Sequence, residues 1–275
     1  MIIWIASYPR SGNTLVRTIL KQVFNINSYD NEFKISGQPW IKKYESIYEK
    51  YGHIEFEGEW KDIYLKLKDS KEIFFVKTHL PPEDNSPAIY IVRDGRMSII
   101  SYFHYMQKFF SDANRSILEI LLGYDYYGDW SSHYRIWNPQ ERENTLCLKY
   151  EDILNKSELT IKKLEQFINL EKKADWENPF NELNKQGTEF FRKGESTWNE
   201  SNEWSDFYNY MFMLKHYKLM YELDYLDNYK FSETALISAK ECKEIIKLTQ
   251  MLKEESNMYK KAALERLELI NKISS

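Results

Sequence analysis

Ile2-Ile3-Trp4-Ile5-Ala6-Ser7-Tyr8-Pro9-Arg10-Ser11-Gly12-Asn13-Thr14 is the stretch on which the reading of this chain turns. Ile2 to Ser7 is a short apolar run of the kind found in a strand covered on both faces. Tyr8 to Asn13 brings Pro, Ser, Gly and Asn, which interrupt regular structure. Thr14 or Asn13 is then placed to cap a helix whose positions Leu15, Thr18, Ile19 and Val23 keep a helical period. A strand that ends in a tight turn and opens a helix aims several backbone N–H groups at one spot, and the helix dipole adds positive potential there. Gly12 permits close backbone approach. Arg10 adds a permanent charge and a planar fork of donors, and Ser11, Asn13 and Thr14 add further hydrogen bonds. The loop reads as an anion site, although an ordinary strand-to-helix turn uses the same residues. It lacks the Gly-Lys-Ser/Thr ending of a nucleoside triphosphate loop, which argues against a triphosphatase.

Outward from this unit the pattern repeats. Ile73 to Val76, Ala88 to Val92 and Thr145 to Lys149 are short apolar runs, with helical sequence over Arg96 to Phe110 and around Glu151 to Asn169. Strands alternating with helices predict an α/β fold: a single P-loop-like domain with a central, mainly parallel sheet and helices on both faces. From Asn25 to Asp69 the period fades until Trp60 to Lys68, and this part reads as a variable insertion. The expected division is an α/β core over 1–230 and a C-terminal helical extension over 231–275. In that extension Ile245, Leu248, Leu252, Tyr259, Ala263, Leu267 and Ile270 form an amphipathic stripe that packs on its own domain or on a second copy in a homodimer.

Composition narrows the partners. The 275 residues are 43% hydrophobic and 29% charged, with a net charge of −4 and a pI near 5.9. No broad basic face for nucleic acid is expected, so an anionic ligand must be met by a few local cations. Two cysteines, Cys147 and Cys242, do not make a disulfide framework, and a reducing, cytoplasmic location is expected. No segment reads as a signal peptide or a membrane helix.

Two further segments carry cations at informative places. Arg93, in Tyr90-Ile91-Val92-Arg93-Asp94-Gly95-Arg96, stands at the end of a strand, where ligands of open α/β sheets bind; Ser101 lies two turns into the next helix. Arg192-Lys193-Gly194 sets two cations beside a glycine. Each has a plain alternative: a surface ion pair, a small residue at a helix contact, a solvated basic turn.

Taken together, the segments resemble the cytosolic-type sulfotransferases that use 3′-phosphoadenosine 5′-phosphosulfate (PAPS). Tyr8 to Thr14 is similar to their 5′-phosphosulfate loop, Tyr90 to Tyr105 to their 3′-phosphate segment and Arg192-Lys193-Gly194 to their late basic motif. Lys77-Thr78-His79-Leu80-Pro81 is similar to the catalytic-histidine stretch, and Tyr150-Glu151-Asp152 to the tyrosine that approaches adenine. Five matches in family order cover about residues 2 to 200. The resemblance implies that Arg10, Ser11, Gly12, Asn13 and Thr14 hold the phosphosulfate, while Arg93, Ser101, Arg192, Lys193 and Gly194 hold the 3′-phosphate. It implies that Tyr150 contacts adenine, that His79 takes the acceptor's proton, and that Lys77 and Arg10 neutralise developing charge. Adenosine 3′,5′-bisphosphate is the implied product, and no metal is required.

The chain departs from the family at three points. Leu15 stands where many members place an adenine-stacking tryptophan, Arg10 replaces lysine, and Glu195-Ser196-Thr197-Trp198 replaces a Gly-Asp-Trp continuation. The rival classes are a nucleotide kinase and a PAPS-binding protein without turnover. The expected acceptor is a small alcohol, phenol or lipid-like hydroxyl, with a carbohydrate as the alternative, since a polyanionic glycan asks for a basic groove.

Overall fold

The opening strand, β1 (Ile2–Ser7), is buried at all six residues. In the computed structural model it lies inside a six-stranded sheet ordered β3-β2-β4-β1-β5-β6. The other strands are β2 (Ser28–Asp30), β3 (His53–Ile54), β4 (Phe74–Thr78), β5 (Ala88–Val92) and β6 (Thr145–Lys149). Every neighbouring pair runs parallel. A strand with parallel neighbours on both sides and helices over both faces has no solvent side, which is why β1 and β5 are apolar throughout. The structure describes residues 1–32, 45–110, 115–179, 201, 203–226 and, within 246–266, positions 246, 249–250, 252–254, 256–263 and 265–266; side chains of 45–47 are excepted. The residues fall in two compact units, Met1–Trp204 and Ser205–Ser275.

Side-chain alternation gives the two sheet faces different chemistry. Ile3 and Ile5 join Ile19, Leu20 and Val23 of α1 (Asn13–Phe24) with Leu164 and Ile168 of a later helix in one aliphatic core. Burial of each such side chain is worth ~1.5–3 kcal/mol. Trp4 points the other way, stacked on Tyr64 with centroids 6.3 Å apart. On that aromatic face Tyr90 of β5 meets Tyr134 and Trp137 edge-on and tilted.

The remaining helices of the first unit are α2 (Glu45–Lys50), α3 (Trp60–Asp69), α4 (Gly95–Phe109), α5 (Ile117–Leu122), α6 (Trp130–Trp137), α7 (Tyr150–Asn155) and α8 (Ser157–Ile168). In α6, Trp130, His133, Tyr134 and Trp137 are all buried, the three-and-four spacing of a helix face turned to the core. The second unit contains α9 (Asp206–Glu222), capped by the Ser205 hydroxyl, which accepts from the Tyr208 amide. Its described residues between 246 and 266 are helical. Leu252 and Tyr259 of the amphipathic stripe are exposed, and Ile245, Leu248, Leu267 and Ile270 lie outside the described residues. Among the described residues no helix is long and apolar enough to cross a membrane.

Two expectations need correction. The stretch read as a variable insertion holds two strands of the sheet, β2 and β3; at three and two residues they are too short to show a period. The cap of α1 is Gly12 in the left-handed region, with no side-chain cap. Asn13 turns its amide back to β1 instead, donating to the Ile5 carbonyl at 2.8 Å and the Ser7 hydroxyl at 3.4 Å.

Candidate active site

The glycine loop draws distant residues to it. Gly12 has φ 109°, and a Cβ there would fall 2.5 Å from Cδ2 of Tyr150, so the loop lies against that ring with no room for a side chain. The Arg93 guanidinium sits 4.2 Å from the centroid of the same ring and donates to the Arg10 carbonyl at 3.2 Å. Arg10 itself has φ 63°, a conformation that costs a non-glycine residue ~1–3 kcal/mol and persists where the surroundings hold it. Its Nε donates to the Ser101 hydroxyl at 3.3 Å, and its guanidinium lies 5.1 Å over the Tyr105 ring. The structure thus joins Arg10, Gly12, Arg93, Ser101 and Tyr150, from the ends of β1, β5 and β6 and from α4.

The other loop residues divide their groups between fold and site. The Ser11 hydroxyl is buried against that of Ser98, 3.1 Å away. The first bond closing α1 runs from the Val16 amide to the Gly12 carbonyl at 3.1 Å. The amides of Asn13, Thr14 and Leu15 precede it and make up the helix's first-turn donors. Leu15 packs its side chain against the aliphatic core. Arg192, Lys193 and Gly194 lie outside the described residues.

A second centre forms at the end of β4, in line with Asp30, since β2 and β4 pair Asp30 with Lys77. The Lys77 ammonium donates to Asp30 Oδ1 at 3.3 Å and to Glu32 Oε2 at 3.0 Å. Asp30 also faces the buried Arg17 guanidinium at 3.7 Å, so opposite charges alternate through the cluster. Burial works against the Lys77 charge, but the two carboxylates outweigh it and its pKa is raised.

His79 is gripped from three sides. Its Nδ1 lies 2.6 Å from the Ser7 carbonyl; a carbonyl only accepts, so Nδ1 carries the proton. Its backbone N–H donates to Glu32 Oε2 at 2.5 Å. Its backbone carbonyl accepts from Nε2 of His133 at 2.9 Å. Nε2 of His79 has no hydrogen-bond partner among the described residues, and the Tyr127 ring meets the imidazole edge-on at 5.7 Å. Burial and the Lys77 charge hold the His79 pKa well below the ordinary value, with the Ser7 carbonyl pulling the other way. Tyr127 is pushed upward by burial and by the Glu32 carboxylate.

Sequence reasoning missed Ser7, Asp30, Glu32 and His133. Asp30 ends, and Glu32 follows, a strand too short to be recognised. For His133 a signal existed: it falls on the aromatic face of α6, where a polar ring needs a partner. Among the described residues no cluster of His, Cys, Asp and Glu is able to hold a metal ion.

Residues 2–216 match the sulfotransferase domain family. The chain belongs to that family. Among curated sulfotransferases, Sulfotransferase 1E1 of Mus musculus is 25% identical over 190 residues, covering 62% of this chain and 60% of the relative. The 3-alpha-hydroxysteroid sulfotransferase of Cavia porcellus is 26% identical over 176 residues, covering 59% and 56%. The matching segment therefore spans less than two thirds of these sulfotransferases. Retinol dehydratase, solved with androsterone and the inactive cofactor PAP, superimposes with a TM-score of 0.55 at 17% identity, covering 84% of this chain and 82% of the other. That likeness gives the sulfotransferase fold.

Proposed function

We propose that the chain is a sulfotransferase that moves the sulfuryl group of PAPS to a hydroxyl acceptor. The observation that carries this is His79, with its proton fixed on Nδ1 by the Ser7 carbonyl and Nε2 left as the basic nitrogen, beside the arginine-bearing glycine loop. The donor set fits an anion-rich nucleotide: two guanidinium groups, the first-turn amides of α1 and a hydroxyl, with a glycine that lets the loop lie against Tyr150. Arg10, Ser11, Gly12, Asn13 and Thr14 would hold the phosphosulfate. Arg93 and Ser101, with Arg192, Lys193 and Gly194, would hold the 3′-phosphate, and Tyr150 the adenine.

When bound, PAPS supplies the sulfuryl group and is released as adenosine 3′,5′-bisphosphate. His79 Nε2 accepts the proton of the acceptor hydroxyl, and the Ser7 carbonyl on Nδ1 stabilises the imidazolium that results. A neutral imidazole is required before that transfer, and burial keeps His79 in that form. Lys77, held by Asp30 and Glu32, is a fixed cation beside it, and Arg10 would neutralise the charge that develops on the leaving oxygen.

A small alcohol, phenol or lipid-like hydroxyl is the proposed acceptor. The tyrosines at 102 and 127, with rings 6.2 Å apart, and the Tyr127–His79 contact support an apolar, aromatic approach to the base. The androsterone complex of the structural neighbour and the hydroxysteroid activity named for the guinea-pig relative support the same class. Two cysteines, too few for a disulfide framework, support a reducing, cytoplasmic setting. Labelled PAPS offered with phenols, steroids, simple alcohols and sugars tests acceptor and reaction together. The His79→Ala variant should bind adenosine 3′,5′-bisphosphate as the parent does and lose turnover by at least a hundredfold. Unchanged turnover would remove His79 from the role.

A further inference from the structure

The imidazole ring of His79 has one direct grip, from Ser7, yet its main chain is held twice more, and from elements with no sequence link to it. Glu32 stands 47 positions away, just past β2; His133 stands 54 positions away, in α6. Glu32 takes the backbone N–H and His133 supplies a donor to the backbone carbonyl, so the peptide units on both sides of the residue are pinned.

His133 is itself held in one state. Because the His79 carbonyl only accepts, Nε2 of His133 carries the proton, and Nδ1 is left as an acceptor. The Tyr90 hydroxyl, 2.9 Å from Nδ1, fills that position. Both side chains are closed off from solvent, His133 at 3% exposure and Tyr90 at 1%. A buried histidine with two matched partners has no rotation or tautomer exchange available that does not break a hydrogen bond. The chain of contacts Tyr90–His133–His79 carbonyl therefore runs from the sheet, through α6, to the candidate base. Glu32 does more than hold a peptide: the oxygen that accepts from the His79 amide also accepts from Lys77, so one atom sets the spacing between the base and the cation.

We propose that Glu32 and His133, with Tyr90 behind His133, are positioning residues that clamp the main chain of His79 and so keep its Nδ1 on the Ser7 carbonyl and its Nε2 turned to the acceptor. The proposal rests on the reading of His79 as the base. None of the three touches the reacting atoms; each acts through His79.

The test separates position from stability and from the base assignment. In long-range proton–nitrogen spectra of histidine-labelled protein, His79 of the parent should show a neutral ring protonated on Nδ1. His133→Phe, which keeps a ring but removes the donor, should shift His79 toward a mixture of tautomers. His133→Gln, which carries an N–H at the position of Nε2, should restore the parent signal. Tyr90→Phe removes a single hydroxyl and should give a smaller shift in the same direction; it serves if His133→Phe does not fold. Glu32→Gln should likewise disturb the His79 signal. With PAPS and 2-naphthol, kcat should fall ~10–100-fold in His133→Phe, as for other residues that orient a reacting group, with KM for PAPS unchanged. Adenosine 3′,5′-bisphosphate affinity should stay within twofold in all variants. A His79 signal identical to the parent's in both His133→Phe and Tyr90→Phe overturns the clamp, and so does a loss of bisphosphate affinity that parallels the loss of kcat, which marks a merely structural role. Full turnover in His79→Ala overturns the base assignment alone, since the tautomer measurement stands apart from it.

Discussion

The loop from Tyr8 to Thr14 takes its shape first from its own backbone, with Arg10 and Gly12 at positive φ and the first turn of α1 closing on the Gly12 carbonyl, and Arg93, Ser98 and Ser101 brace it from outside. The end of β4 takes its shape from elsewhere. Lys77 and His79 are fixed by Ser7, Asp30, Glu32 and His133, partners 45 to 72 positions away in sequence. The two regions meet at Ser7, whose hydroxyl accepts from Asn13 and whose carbonyl accepts from His79. One half of the candidate site is thus made by backbone conformation and the other by side chains that the sheet order brings together. The first should respond to local substitutions through binding, the second to remote ones through stability and proton position.

The largest effect expected from this contrast is at Lys77. Its replacement by Met leaves Asp30 and Glu32 buried without their shared cation, with side chains 9% exposed. Breaking such a buried pair costs ~3–5 kcal/mol. Urea denaturation should show that loss in Lys77→Met, partly recovered when Glu32→Gln is added. A loss well below 1 kcal/mol would place the end of β4 on the same local footing as the loop.

Gly12→Ala should act on binding. The new methyl meets Tyr150 and requires a left-handed backbone, so adenosine 3′,5′-bisphosphate affinity should fall by ~10–100-fold, or ~1.4–2.7 kcal/mol. Titration calorimetry measures it. An unchanged affinity would show that the loop is not pressed against Tyr150 when ligand binds.

The smallest effect, taken per group and per pH unit, is in pH dependence. Burial lowers His133 and His53 to about 4 from an unfolded value of 6.5, and His79 is lowered too. Between about 4 and 6.5 the unfolded chain binds protons that the folded chain excludes, so stability should fall as pH drops through that window. The slope is on the order of 1 kcal/mol per pH unit for each histidine. The loop from Tyr8 to Thr14 contains no group that titrates there. A flat stability profile between pH 4 and 6.5 would mean that these rings are protonated in the fold.

How much was legible follows the same division. β1, the loop, α1, β5 and β6 announced themselves through apolar runs and breakers, because strand and helix periods are local properties. β2 and β3 did not, since a pairing of two or three residues is decided by the strand beside it. Leu15 and Asn13 show a finer limit: both sit in the motif, yet the Leu15 side chain serves the core and the Asn13 amide serves β1.

By itself, then, the sequence determined the order of strand, loop and helix, the cations available to an anion and the presence of Lys77 and His79. Only the tertiary structure decided that Gly12 lies against Tyr150, that Lys77 shares its charge with Asp30 and Glu32, and that His133 holds the His79 carbonyl. The physical reason is range. Periodicity and backbone preference act over a few residues, whereas these contacts arise where parallel strands end side by side, and the order of those strands is written in no single segment.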